Sequence, residues 1–154
     1  MGIDGFSHIG LCVSDLEAST RFYQEVLGFR PLYSLDFTDD EVASTMEQSG
    51  PFTSRMLVRD DVRIELLWWH DRAPEGDRTR RPMSGLGFTH LSFRVDHIDD
   101  LFEAAVRCGG AVWPETMSVL GDPAGPGEPV RLVYLTDPDG TRIEVMSGTP
   151  ALGG

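Results

Sequence analysis

Two histidines and two glutamates recur in matching company along this chain. Phe6-Ser7-His8-Ile9-Gly10-Leu11-Cys12-Val13 is echoed by Phe88-Thr89-His90-Leu91-Ser92-Phe93-Arg94-Val95, and Val62-Arg63-Ile64-Glu65-Leu66 by Thr141-Arg142-Ile143-Glu144-Val145. One His and one Glu therefore stand at the same places in two successive copies, the mark of a duplicated structural unit. Imidazole with carboxylate is a ligand set for a divalent first-row ion such as Zn, Ni, Co, Mn or Fe. Four protein donors leave two adjacent positions of an octahedron for water or a chelating substrate. A closed structural zinc site would draw on Cys instead, and the two cysteines, Cys12 and Cys108, form no CxxC pair.

The elements that must position these residues read alike in both copies. After the first strand, Ser14 and Glu17 have capping-box spacing, and apolar residues at helical intervals (Leu16, Phe22, Tyr23, Val26, Leu27) run to a stop at Gly28. In the second copy Asp96 is the expected cap, Ile98, Leu101, Phe102 and Ala105 the apolar face, and Gly109-Gly110 the stop. Short alternating segments follow: Phe29–Leu35, Arg55–Arg59 and Val62–Trp69, then Ala111–Trp113, Val130–Thr136 and Thr141–Met146. Asp60-Asp61 and Asp137-Pro138-Asp139-Gly140 read as hairpin turns. The expectation is a single α+β domain of two βαβββ modules, residues 5–70 and 87–148, joined by a connector at 71–86. The modules should curl about a pseudo-twofold axis into an open barrel-like cavity. The loop Gly121–Pro129, rich in Pro and Gly, is expected to be mobile or to cover something.

Strand alternation sorts the side chains by face. Ile9, Leu11 and Val13 oppose His8, Gly10 and Cys12; Leu91, Phe93 and Val95 oppose His90, Ser92 and Arg94. In the last strands Ile64 and Leu66 oppose Glu65, Leu67 and Trp69, and Ile143 and Val145 oppose Glu144 and Met146. The greasy rows belong under helices, so His8, Glu65, His90 and Glu144 should face the concavity together. Cys12, Trp69, Arg94 and Met146 share that face and are the expected substrate-pocket lining. A buried Arg94 would seek an anion such as Glu144, Glu65 or a substrate carboxylate. His70 and His97 lie off the pattern and are expected to be solvated, as is the acidic run Asp36, Asp39, Asp40 and Glu41.

Composition removes whole classes of function. All 13 basic residues are Arg, which excludes Schiff-base, pyridoxal-phosphate and P-loop lysine chemistry. A net charge of −12, relieved only by the short cluster Arg78, Arg80 and Arg81, argues against nucleic acid and anionic membrane as partners. Residues 1–25 lack the pattern of a signal peptide, and no apolar stretch approaches the roughly 20 residues of a membrane span. A cytoplasmic location is expected.

The run HIGLCVSDLEASTRFYQEVLGF, then RIELL, FTHLSFRVDHIDDL and LTDPDGTRIEVM, in that order, resembles the vicinal oxygen chelate superfamily over residues 6–147. That group contains glyoxalase I, methylmalonyl-CoA epimerase, extradiol dioxygenases and bleomycin or fosfomycin resistance proteins. The resemblance implies the glyoxalase/bleomycin resistance/dioxygenase fold, metal positions at His8, Glu65, His90 and Glu144 for one divalent ion, a small-molecule substrate and a homodimer. It also implies a lyase, isomerase or epimerase that chelates its substrate through vicinal oxygens and moves a proton through an enediolate, with Glu65 or Glu144 as base. Two competitors stand beside it. In an Fe(II) extradiol dioxygenase His8, His90 and Glu144 form the facial triad, and a fourth ligand at Glu65 counts against that. A non-catalytic resistance protein would sequester an antibiotic in the cavity.

Overall fold

The computed structural model describes residues 2–38, 40–121 and 128–148. The chain divides into two compact units, Met1–Asp77 and Arg78–Gly154. The first contains β1 (Ile9–Cys12), α1 (Leu16–Glu25), β2 (Arg30–Phe37), α2 (Asp40–Thr45), β3 (Phe52–Arg59) and β4 (Val62–Trp69). The second contains β5 (Leu91–Arg94), α3 (Asp100–Arg107), β6 (Ala111–Leu120), β7 (Val130–Thr136) and β8 (Arg142–Ser147). Each unit builds one four-stranded mixed sheet, in the order β1-β4-β3-β2 and β5-β8-β7-β6. The first strand of each unit pairs in parallel with the last, and the other pairings are antiparallel. The α+β class and the repeated βαβββ plan hold, with α2 as an addition to the first copy.

The parallel pairing brings the duplicated motifs together within each unit. Gly10 lies opposite Glu65 and Ser92 opposite Glu144. Burial alternates as the sequence pattern requires: Ile64 and Leu66, Ile143 and Val145 are sealed, while Glu65 and Leu67, Glu144 and Met146 are half-buried on the other face. In the first unit α1 covers the sealed face, burying Leu16, Phe22 and Tyr23, with Tyr23 edge-on to both Phe22 and Phe29. Arg55, on the same face of β3, bonds Thr20 and Glu17 of the helix. In the second unit Ile98, Ala105, Cys108, Val133, Leu135, Ile143 and Val145 form the core.

Both helix starts differ from expectation, for identifiable reasons. Asp15, not Ser14, caps α1, accepting from the Glu17 and Ala18 amides at 3.0 and 2.9 Å. The Glu17 carboxylate does not complete a capping box because it pairs with Arg55 at 2.8 Å. Asp15→Ala should cost about 0.5–2 kcal/mol, as read by urea denaturation. In the second unit the helix begins at Asp100 rather than after Asp96. Fully buried Ile98 anchors the preceding turn, whose carbonyl accepts from Leu101, and Asp99 turns its carboxylate to Arg131 at 3.5 Å instead of capping.

Strand ends shift as well. β1 and β5 begin one residue after their His, and β3 starts at Phe52, since both its edges are paired. β6 continues to Leu120 through an irregularity between Trp113 and Ser118 that contains Pro114. There the Thr116 hydroxyl donates to the Trp113 carbonyl and accepts from the Tyr134 amide, replacing ladder bonds. The acidic run is only partly a loop. Asp36 ends in β2, where it accepts from Thr53 at 2.7 Å, and α2 begins at Asp40; Asp39 lies outside the described residues. Residues 122–127 of the expected mobile loop also lie outside them. The Arg78–Arg81 cluster is occupied by protein contacts: Arg78 with Asp139, Arg80 over the Trp113 ring at 3.4 Å and beside Glu115, Arg81 on the Leu86 carbonyl. Neither cysteine is in a disulfide. Among the described residues no helix is long and apolar enough to cross a membrane.

Candidate metal and substrate site

Each unit presents one His–Glu pair. His8, at the mouth of β1, turns its Nε2 toward Glu65 Oε2 at 3.3 Å, and His90, at the mouth of β5, turns its Nε2 toward Glu144 Oε2 at 3.7 Å. The carboxylates sit mid-strand and are the more shielded partners, with side chains 16% and 13% exposed against 37% and 28% for the imidazoles. Two donors held about 2.0–2.2 Å from one ion at adjacent positions stand roughly 3 Å apart, close to these spacings.

The remaining polar atom of every one of these four side chains is taken by a hydroxyl. Ser7 bonds His8 Nδ1 and Thr89 bonds His90 Nδ1, both at 2.9 Å. Ser54 donates to Glu65 Oε1 at 2.5 Å and Tyr134 to Glu144 Oε1 at 3.0 Å. Within each pair the atoms left facing each other are one Nε2 and one Oε2, and such outer partners orient metal ligands generally. The second pair has one more donor, because Ser92 also bonds Glu144 Oε2 at 2.7 Å, whereas its counterpart Gly10 has no side chain. Burial first, then the bond to Glu144 and that carboxylate's charge, push the Tyr134 hydroxyl above the usual tyrosine range against the pull of Arg142. Tyr134 therefore stays a donor. Its ring also meets His90 edge-on, centroids 5.7 Å apart.

The chemistry of the donor set thus fits a divalent ion. Among the described residues no group of three or more His, Cys, Asp or Glu side chains that could hold a metal ion is formed; each unit brings together one His and one Glu.

The other expected lining residues fall out unevenly. Cys12 is exposed on the Glu65 face opposite Leu67, and Met146 is half-buried on the Glu144 face. Trp69 lies on the Glu65 face in a row of rings with Phe52 and Phe37, successive centroids 4.8 Å apart, and Arg72 lies over it at 5.4 Å. Arg94 is not a buried cation in search of an anion. It is exposed and donates to the Gly148 carbonyl at 2.9 Å. His70 is exposed but not merely solvated, since its Nε2 bonds Thr53 at 2.8 Å and its ring packs on Trp68. His97 is exposed as expected.

Sequence reasoning missed the hydroxyls. A signal for Tyr134 was present: a hairpin centred on the Asp137–Gly140 turn places Tyr134 opposite Glu144. Ser7 and Thr89 precede the two histidines in both copies.

Residues 5–145 match the model of the Glyoxalase/Bleomycin resistance protein/Dioxygenase superfamily, and the chain belongs to that superfamily. A lactoylglutathione lyase of Haemophilus influenzae is 28% identical over 147 residues, covering 96% of this chain and 95% of its own length. The chain spans less than half the length of two Arabidopsis thaliana proteins that it also matches, 44% of the lactoylglutathione lyase GLX1 and 35% of a protein named probable lactoylglutathione lyase, chloroplastic. A glyoxalase family protein from Bacillus cereus superposes with a TM-score of 0.75 over 97% of both chains at 19% identity. The fosfomycin resistance protein FosX of Listeria monocytogenes, solved with Mn(II) and sulfate, superposes with a TM-score of 0.60 at 22% identity, over 96% of this chain and 95% of its own. At these identities the two structures bear on the fold.

Proposed function

We propose that this protein is a metal-dependent lyase, isomerase or epimerase that holds a small substrate through two vicinal oxygens and moves a proton on the carbon beside a carbonyl. The observation that carries the reading is the repeated His–Glu pair, with each off-site nitrogen and oxygen held by a hydroxyl. His8, Glu65, His90 and Glu144 are the residues that would hold one divalent ion. When bound, that ion supplies Lewis-acid polarisation of the substrate oxygens. Glu65 or Glu144 takes the proton from the α-carbon and returns it, while the electron pair is carried as an enediolate of the substrate. Cys12, Trp69, Arg94 and Met146 line the substrate's space. The protein works as a cytoplasmic homodimer and engages neither nucleic acid nor membrane. The kinship with lactoylglutathione lyases supports the reaction class, and Mn(II) in FosX supports the ion.

Elemental analysis and calorimetric titration test this reading. The protein purified without chelator should carry close to one divalent ion per chain, since each unit supplies one His and one Glu. Affinity should weaken as the pH falls from about 8 to 5, because protons compete for the nitrogens that must be neutral to bind. Failure of Zn, Ni, Co, Mn and Fe to bind at micromolar concentration would eliminate the metal-dependent reaction, and a flat pH dependence would remove His8 and His90 as ligands.

A further inference from the structure

We propose that Arg142 selects the substrate, and that it selects an acid, a molecule with a carboxylate a few bonds away from its two chelating oxygens; the inference rests on the site proposed above and names the class of molecule it takes. Arg142 stands two residues before Glu144 on the same face of β8, so their Cα atoms are roughly 6.5–7 Å apart. Extending the register of β5 on β8 by one residue sets Arg142 beside His90 as well. The residue therefore adjoins both members of one His–Glu pair.

No acid of the second unit answers its charge. The Glu144 carboxylate is engaged by Tyr134, Ser92 and His90. Among the described residues the half-buried Arg142 side chain forms no hydrogen bond and no ion pair. It lies over the Tyr134 ring, 5.8 Å from the centroid, and its Nη1 is sealed from solvent without a partner. Native proteins rarely leave a buried cationic donor unanswered, because its lost hydration is then not replaced. Nε and Nη2 are not sealed in this way. That edge of a guanidinium offers two parallel N–H groups at the spacing of a carboxylate's oxygens.

The charge of the surrounding face points the same way. By register, the charged strand positions beside Glu144 are Arg94 and Arg142, and Arg80, with Glu115 next to it, lies over the Trp113 ring of β6 at 3.4 Å. Arginines outnumber carboxylates there although the protein as a whole carries −12. Such a face favours an anionic ligand. Arg63 holds the matching place before Glu65 in the first unit but is exposed, so water answers its charge and it serves as a built-in control.

Calorimetric titration of the zinc-loaded protein with 2-oxoglutarate and 2-oxopentanoate tests the proposal. The two probes share their chain length and vicinal oxygens, and one ends in a carboxylate where the other ends in a methyl group. Wild type should bind 2-oxoglutarate about 10–100-fold more tightly, the strength of a charge-assisted hydrogen bond. Arg142→Met should abolish the preference and leave 2-oxopentanoate binding unchanged, while Arg63→Met keeps it. Because Arg142→Met removes an enclosed nitrogen that has no partner, its urea midpoint should equal or exceed that of wild type. Arg142→Gln should lose the preference too, and takes the place of the apolar variant if that does not fold. Equal binding of the two acids by zinc-loaded wild type, a preference that survives in both Arg142 variants, or one lost equally in Arg63→Met would overturn the proposal and leave the metal site standing. If wild type binds no zinc the metal site falls, and the same pair of acids on the metal-free protein then decides Arg142 by the same outcomes.

Discussion

Glu65→Gln should lower turnover by about 10² to 10⁴, the usual contribution of a general base, while retaining most ion binding, because the amide keeps an oxygen donor and loses only basicity. Glu144→Gln should cost less. Glu144 is held on both oxygens by Tyr134 and Ser92, whereas among the described residues Glu65 accepts from Ser54 alone and its Oε2 faces His8 and the bare backbone of Gly10. A carboxylate held by more hydrogen bonds is less able to move, and the larger loss is therefore expected at Glu65. The measurement is solvent deuterium exchange at the substrate α-carbon beside oxygen consumption, with hemithioacetals, thioesters and catechols as trial substrates. Equal losses in the two variants would withdraw the preference for Glu65. Oxygen-dependent turnover without exchange, fully active in Glu65→Ala, would replace the proton-transfer enzyme by a dioxygenase working through His8, His90 and Glu144.

The largest stability effect from a single methyl group is expected at Gly140. This residue has φ +85°, and a Cβ built on it would run into the Arg78 carbonyl oxygen and lie 2.8 Å from its carbon. Gly140→Ala combines a left-handed backbone, costing about 1–2 kcal/mol, with a clash against main chain that cannot rotate away, for a total near 3 kcal/mol or more. Gly140→Asn separates the two causes, since asparagine tolerates the backbone conformation but carries the same Cβ. Urea denaturation should find both variants destabilised, Asn by most of the Ala loss. A near-normal Asn variant would show that the approach of Arg78 contributes nothing.

Much of the fold was legible because it rests on periodicities that local chemistry dictates. Alternation in β4 and β8 told which residues share a face, and the sealed Ile64, Leu66, Ile143 and Val145 against half-buried Glu65 and Glu144 bear that out. The repeat paired each His with its Glu, and parallel pairing of the first strand with the last keeps each pair within one unit. Asp137-Pro138-Asp139-Gly140 was readable as a turn for the same reason, its conformation being set by four residues: the Asp137 carboxylate accepts from the Asp139 and Thr141 amides.

Tertiary contact decided what local pattern leaves degenerate. Ser14 and Asp15 are both competent caps, and the choice went to Asp15 once Glu17 was drawn to Arg55 on a strand distant in sequence. Arg94 lies on the expected face, yet a neighbouring carbonyl and open solvent, not an anion, receive it, because strand parity specifies direction and not depth. Gly140 reads from sequence as a turn residue, and only the packed unit reveals the Arg78 carbonyl against it. The sequence by itself determined the duplicated strands, the faces and the four candidate ligands, since these follow from spacing along one chain. The hydroxyls that aim those ligands depended on the tertiary structure wherever they come from other strands, as Ser54, Ser92 and Tyr134 do, because hydrogen bonds between strands depend on register and distance in space.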